Sequence, residues 1–361
     1  MNHEPTTSNE VPRPKRRALS CLVGSLIALV AVLGATELVL RFGHPIAFRA
    51  PIDRAKGDEW RVMLHRASAT PGLRYELVPG ARGTFRQMDV SVNALGMRGP
   101  EVDAAKPAGT TRIVAMGDSV TFGWDVRAED AWPAQLERDL RSRVEFDRGA
   151  RSPESSTDRI EVLNCGVSGY GTRDEAIALE RRVDELAPDV VVLAYFWNDP
   201  EQIPLAPLQR FFEEPAWWQH SHLLRLVARN LYERDLRRYG GGDFYRYLHA
   251  PDGPCWPREL EAIERLRGVV RSRVPHTLVA LFPSYPKDGD WSAYPYGDLH
   301  AQVAAAWKER GFDVLDLLPA FSSSGHPPRE LCVDTEHPNP AGHALAARAI
   351  ADELSRLGWI R

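Results

Sequence analysis

An excess of charge of either sign is missing from this chain of 361 residues, whose formal net charge is only -4. Nothing in that balance points to a nucleic-acid partner. Cysteine is also scarce, with four in all. Cys21 lies in an apolar segment and Cys165 ends a predicted strand, where a small buried hydrophobe is the ordinary role. Cys255 and Cys332 fall in loop-like sequence. A bond between them in an oxidising compartment and two free thiols both stay open, because spacing alone decides neither. His220 and His222 have no companion ligands nearby in sequence, so no metal site is expected there.

Charge is wholly absent from Ala18 to Thr36, directly after the basic cluster Arg13, Lys15, Arg16 and Arg17. That stretch of about 19 residues would span roughly 29 Å as a helix, enough for a bilayer core. A basic side held in the cytoplasm would place everything after Glu37 outside it. The competing reading is a cleaved signal peptide, but Leu33 is bulky where the Leu33-Gly34-Ala35 cleavage pattern needs a small residue. We therefore expect an uncleaved anchor over 18–40, behind a polar tail over 1–17 on the cytoplasmic side. Ser20-Cys21 precedes the apolar segment instead of following it, which argues against a lipoprotein site.

The rest of the composition is globular, 43% hydrophobic and 26% charged. Residues 41–110 read as a linker and a small β-rich preface, with Pro79-Gly80, Arg82-Gly83 and Leu95-Gly96 punctuating short stretches such as Val90-Ser91-Val92. From 111 to 361 strand-like and helix-like segments alternate. Ile113–Met116, Ile160–Leu163, Val190–Tyr195, Thr277–Phe282 and Phe312–Leu317 are the strands. Trp132, Leu136 and Leu140 recur on one face of the first helix; Asp174–Leu186, Arg258–Val274, Leu299–Arg310 and Ala341–Leu357 are further helices. Arg143–Asp158 is polar and reads as a surface loop. This alternation predicts an α/β fold, a doubly wound, mostly parallel five-stranded sheet flanked by helices and preceded by one transmembrane helix. An aromatic-rich insertion at 201–256, including Trp217, Trp218 and Tyr245, is too long for a simple loop and predicts helices of its own. A cap over the site and an ordinary packing insertion are both open readings of it.

Polar residues gather where these strands end, which is where open parallel sheets build their sites. Gly117-Asp118-Ser119 follows the first strand, Val167-Ser168-Gly169-Tyr170-Gly171 the second, and Trp197-Asn198-Asp199 the third. Asp334-Thr335-Glu336-His337 lies in a polar loop after the last strand. Serine, aspartate and histidine in that order suit a nucleophile, an orienter and a base.

These four motifs, in order, resemble those of the SGNH/GDSL hydrolase superfamily, over roughly Arg112 to the C-terminus. The resemblance implies a serine esterase without a cofactor, with Ser119 as nucleophile, His337 as base and Asp334 as its orienter. It implies an oxyanion hole made by the Ser119 amide, Gly169 and Asn198. Two positions depart from the pattern: Val120 stands where leucine is usual, and Phe196 where the Gly-x-Asn-Asp block has glycine. The expected substrates are carboxylic esters, with acyl groups on glycans or lipids favoured by location alone, and no protein partner is implied. Extracytoplasmic members that transfer acyl groups to sugar hydroxyls keep an O-acyltransferase open, and a silent binding module on the same fold is a third reading.

Overall fold

The computed structural model describes residues 14–45, 63–85, 88–149, 159–200, 216–286 and 290–360. It divides into two compact units. The smaller contains the N-terminal helix α1 (Pro14–Gly43) and, of the described residues, 216–232; the larger contains the sheet and the helices packed on it. Within α1, Leu19–Gly43 is long and apolar enough to cross a membrane, with a mean hydropathy of 2.3 and none of it buried by protein. The helix extends three residues beyond the expected anchor, because Glu37 and Arg41 pair four apart across its last turns. The tail before residue 14 lies outside the described residues.

Two antiparallel hairpins form the preface. β1 (His65–Ala67) pairs with β2 (Tyr75–Leu77), and β3 (Arg82–Phe85) with β4 (Met88–Ser91). Leu64, Leu73, Leu77, Val90 and Val92 bury against Phe122, Val167, Tyr170 and Ile177 of the main fold.

The main sheet has five parallel strands in the order β6-β5-β7-β8-β9: β5 (Thr110–Met116), β6 (Arg159–Asn164), β7 (Val190–Tyr195), β8 (His276–Leu281) and β9 (Asp313–Asp316). Every residue of β7 is buried, as a central strand covered on both faces requires. After a single turn, α2 (Ser119–Phe122), the chain runs through α3 (Trp132–Gly149) to β6 on one side of β5, then through α4 (Thr172–Leu186) to β7 on the other. Right-handed crossovers in opposite directions put α3 and α4 on opposite faces. The carboxyl end of β5 is therefore the switch point of the sheet. Accordingly α3 packs with the last helix, α10 (Pro340–Arg356), and α4 with α7 (Trp256–Val270). Between them come α5 (His222–Gly240) and α6 (Phe244–His249) from the insertion, and then α8 (Gly297–Glu309) and α9 (Leu318–Ser322). These two helices lie in the described part of the insertion; 201–215 lie outside the described residues.

One expectation fails. Arg143–Gly149 is not loop but the end of α3, where Arg143 pairs with Asp139 one turn back and with Asp352 of α10, and Val144 packs on the core. Intrahelical and interhelical ion pairs made a polar stretch helical; 150–158 lie outside the described residues. The outer edge of β6 is closed by side chains of the same helix. Glu137 accepts the Val162 N–H at 2.7 Å and Arg141 donates to the Ile160 carbonyl at 2.9 Å, removing a free strand edge.

Arg112 is the polar pin of this core, fully buried in β5. Its guanidinium donates to Glu161 at 2.8 Å and to the carbonyls of Asp103, Ala104 and Leu186 at 2.8, 2.6 and 3.0 Å. Truncating one partner of such a pair strands the other without water. Arg112→Ala should therefore cost about 3–5 kcal/mol of unfolding free energy in a urea titration. A loss under about 1 kcal/mol would mean the network contributes nothing beyond an exposed pair.

Candidate active site

The β5 strand delivers Gly117 with φ 149°, a left-handed backbone, and a Cβ there would collide with Thr121. The glycine lets the chain turn at once into α2. Asp118, fully buried, caps that turn by accepting the Val120 N–H at 2.8 Å. Ser119 follows as the first residue of α2, 8% exposed, at the carboxyl edge of the sheet.

The other candidate residues reach it from different strands. His337 Nε2 lies 2.9 Å from Ser119 Oγ. His337 Nδ1 lies 2.9 Å from both Asp334 oxygens, and Asp334 Oδ1 accepts the backbone N–H groups of Glu336 and His337 at 2.8 Å. The loop that carries them is closed on itself by the Val333 N–H on the His337 carbonyl at 2.9 Å. It is tied to the end of β8 by the Tyr285 N–H on the Thr335 carbonyl, also 2.9 Å. Burial pushes the Asp334 carboxyl up, but His337 and the two amides outweigh it and hold it at about 2. The carboxylate is thus ionised at any working pH, and His337 must carry its proton on Nδ1 to donate to it, leaving Nε2 to accept from serine.

Asn198 donates its side-chain amide to Asp118. Gly169 has φ 81°, and a Cβ there would sit 2.7 Å from the Tyr75 hydroxyl. Phe196 needs no such freedom: among the described residues only Asp125 and Ala187 combine a side chain with positive φ. Phe196 is buried with its ring edge-on to Tyr245 of α6, 6.0 Å between centroids. Cys255 is buried and Cys332 half-buried. The Cys332 thiol is pushed up to about 11 by burial and by Asp334.

Several neighbours of the site are not marked by any motif. Trp124 stacks on the His337 ring at 5.3 Å and 22°. Tyr245 donates to Glu336 at 2.5 Å, bringing the insertion onto the loop of His337. From the preface, Tyr75 donates to the Ser168 carbonyl at 2.8 Å and Arg74 to the Gly169 carbonyl at 3.0 Å. Arg74 is itself held by Asp174 at 2.9 Å, and Tyr170 donates back to the Tyr75 carbonyl. Only the glycine in Val-Ser-Gly-Tyr-Gly could have hinted at a backbone that something must hold.

Beneath these loops lie four buried carboxyl groups, Asp118, Glu175, Asp199 and Glu259. Neither oxygen of Glu175 has a hydrogen-bond partner, and one oxygen each of Asp199 and Glu259 has none. Burial, reinforced by the charges of their neighbours, pushes Glu175 and Asp199 well above the carboxylate range. Burial raises Asp118 as well, against the Val120 amide and His337. Glu259 is lifted by burial to about 7, although the Thr172 hydroxyl donates to it at 2.6 Å.

A raised folded-state value makes stability decline with alkalinity. Below the ordinary value of 4.5 Glu259 is protonated in both states; between 4.5 and about 7 only the unfolded chain loses its proton, so stability falls across that window and levels above it. Unfolding free energies measured from pH 4 to 8 should show this decline, and Glu259→Gln should flatten it. An unchanged slope in the variant would mean that Glu259 ionises normally in the fold.

Comparison with known proteins places this site in a family. The model of the GDSL-like lipase/acylhydrolase family matches residues 115–345. No curated protein matches the chain. Among solved structures, LAE5, an α/β hydrolase from the metagenome of Lake Arreo in Spain, is 21% identical with a TM-score of 0.42, covering 70% of this chain and 96% of its own. A catalytic mutant of Axe2, an acetylxylan esterase from Geobacillus stearothermophilus, is 19% identical with a TM-score of 0.41 over 70% of this chain and 96% of its own. CEX, a two-domain esterase active on acetylated mannans, is 14% identical with a TM-score of 0.39 over 69% of this chain and 49% of its own. The family model spans well over half of the sequence, and the chain belongs to the GDSL-like lipase/acylhydrolase family, the serine ester hydrolases.

Proposed function

We propose that the protein is a membrane-anchored carboxylesterase whose catalytic unit faces away from the cytoplasm and removes acyl groups from esterified glycans or lipids. The observation that carries the chemistry is the unbroken chain of 2.9 Å contacts from Ser119 Oγ through His337 to Asp334. The basic cluster before α1 supports the orientation, since basic flanks stay on the cytoplasmic side.

In this reading Ser119 Oγ attacks the ester carbonyl as its proton moves to His337 Nε2. Asp334 holds the imidazole by Nδ1 and stabilises the imidazolium. Negative charge gathers on the carbonyl oxygen, where the N–H groups of Ser119 and Gly169 and the remaining amide hydrogen of Asn198 donate to it. Collapse expels the alcohol, which takes the proton from Nε2 and leaves an acyl-serine. Water then loses a proton to the same nitrogen, attacks the acyl group, and releases the carboxylic acid as Ser119 recovers its hydrogen. Arg74 and Tyr75 act on this step from a distance, by fixing the carbonyls on either side of the Gly169 N–H.

Hydrolysis of short and long p-nitrophenyl esters by the full chain tests the proposal. Ser119→Ala and His337→Ala should each lower kcat at least about a thousand-fold, and the double variant should lose little more, because the two act as a unit. Asp334→Asn should cost about 10⁴-fold by favouring the wrong imidazole tautomer. Activity that survives in Ser119→Ala would overturn the assignment. Labelling of Ser119 by a fluorophosphonate without ester hydrolysis would instead point to acyl transfer.

Removing one hydrogen bond to the Gly169 loop is a smaller change. Tyr75→Phe should lower kcat roughly five- to tenfold, about 1 kcal/mol, with KM little altered. An equal loss of substrate binding would mean that Tyr75 shapes the pocket and not the donor.

A further inference from the structure

The smaller unit places an unusual polar junction on an apolar helix. Glu37 lies in the last turns of α1, six residues before Gly43, or about 9 Å from the helix end. Its carboxylate accepts the Ser221 hydroxyl at 2.8 Å and the N–H groups of His222 and Leu223 at 3.1 and 2.8 Å. Arg41 donates to Glu37 at 3.0 Å and to the His220 carbonyl at 3.2 Å. Both ionisable groups of these turns are thus bonded to the first turn of α5 and the residues just before it.

A 25-residue apolar helix is about 37 Å long, more than the roughly 30 Å of a hydrocarbon core. Glu37 and Arg41 then fall where the core gives way to headgroups, the depth at which a paired charge is tolerated. The hydrogen bonds hold Ser221–Leu223 to that same depth. On the protein side of this junction, Trp217 is 78% exposed, and Leu224 and Val227, one turn apart, are 37% and 46% exposed. Arg225 and Arg229, four apart, follow the opposite side of the helix. An apolar stripe, a basic stripe and a leading tryptophan are the pattern of a helix lying in a membrane interface.

We propose that residues 217–231 form an interfacial element, with Trp217, Leu224 and Val227 inserted among the acyl chains of the leaflet in which α1 ends and the arginines at the phosphate level. The occupant of this surface is lipid, continuous with the lipid around α1. The proposal rests on the reading of α1 as a membrane-spanning helix. It also gives Glu37 a role that requires α1 to stay on the mature protein, because a chain cut before residue 37 would lose the junction.

Benzoylphenylalanine placed at position 29, 217 or 227 of the full-length chain, or at position 127 of an exposed loop, tests it in phosphatidylcholine–phosphatidylglycerol vesicles. Fluorophosphonate labelling of Ser119 selects the folded molecules, and lipid adducts are counted by mass spectrometry. Positions 217 and 227 should yield adducts within about threefold of position 29 and at least about tenfold above position 127. Adducts at 29 with only background at 217 and 227 would overturn the interfacial element while leaving the span in place. Background at position 29 as well would overturn both. Glu37→Ala should lower the adducts at 217 and leave those at 29 unchanged; an equal yield at 217 would remove the junction from the argument.

Discussion

Everything at this site depends on Asp118, a carboxyl group with no exposure to water at the switch point of the sheet. It caps the turn that presents Ser119, lies 3.3 Å from the serine hydroxyl, and is hydrogen-bonded by Asn198 from beyond the neighbouring strand. One side chain thus bridges Ser119 at the end of β5 and the Asn198 amide at the end of β7. The parallel register that pairs Met116 with Leu193 brings those two strand ends side by side. A longer residue would separate the two loops, and an apolar one would leave the Val120 and Asn198 donors without acceptors.

The same economy explains the buried acids behind it. Burial, the largest cause, holds Glu175 and Asp199 well above the ordinary carboxylate range, which favours their neutral form. Four carboxyl groups so close together cannot all ionise. Neutral acids let the loops after β6 and β7 pack tightly without adding negative charge beneath Ser119. The cost is a fold weakened by alkali, and it falls on the larger unit, where the burial of β7 and Arg112 supplies stability.

Chemistry was far more legible in the sequence than its supports were. The five strands were readable because a doubly covered parallel strand is a continuous apolar run, and the candidates Ser119, Gly169 and Asn198 because they come soon after those runs. Asp334 and His337, three apart, needed only a turn to meet. By contrast, Arg74 and Tyr75 act on Gly169 and Ser168 from about a hundred residues away, through backbone carbonyls that carry no side-chain signature. Glu175 and Glu259 could have been noticed. Each lies four residues before a buried apolar residue, Leu179 or Ile263, on the core-facing stripe of its helix. A glutamate on that stripe is either misplaced or held for a reason. The end of α3 was missed because ion pairs, not apolar spacing, carry it.

Phe196 shows how α6 and the site are joined. With an ordinary backbone at 196, glycine is not required there, and the vacancy left by a missing side chain can be filled from within. The phenyl ring fills it and meets Tyr245 edge-on, while the Tyr245 hydroxyl bonds Glu336 beside His337. Trp197, next in line and fully buried, packs against His249 of α6 and His300 of α8. The α6 helix is therefore anchored through the very segment that carries Asn198. A change in α6 would reach the site through two routes, the Phe196 ring and the Glu336 carboxylate.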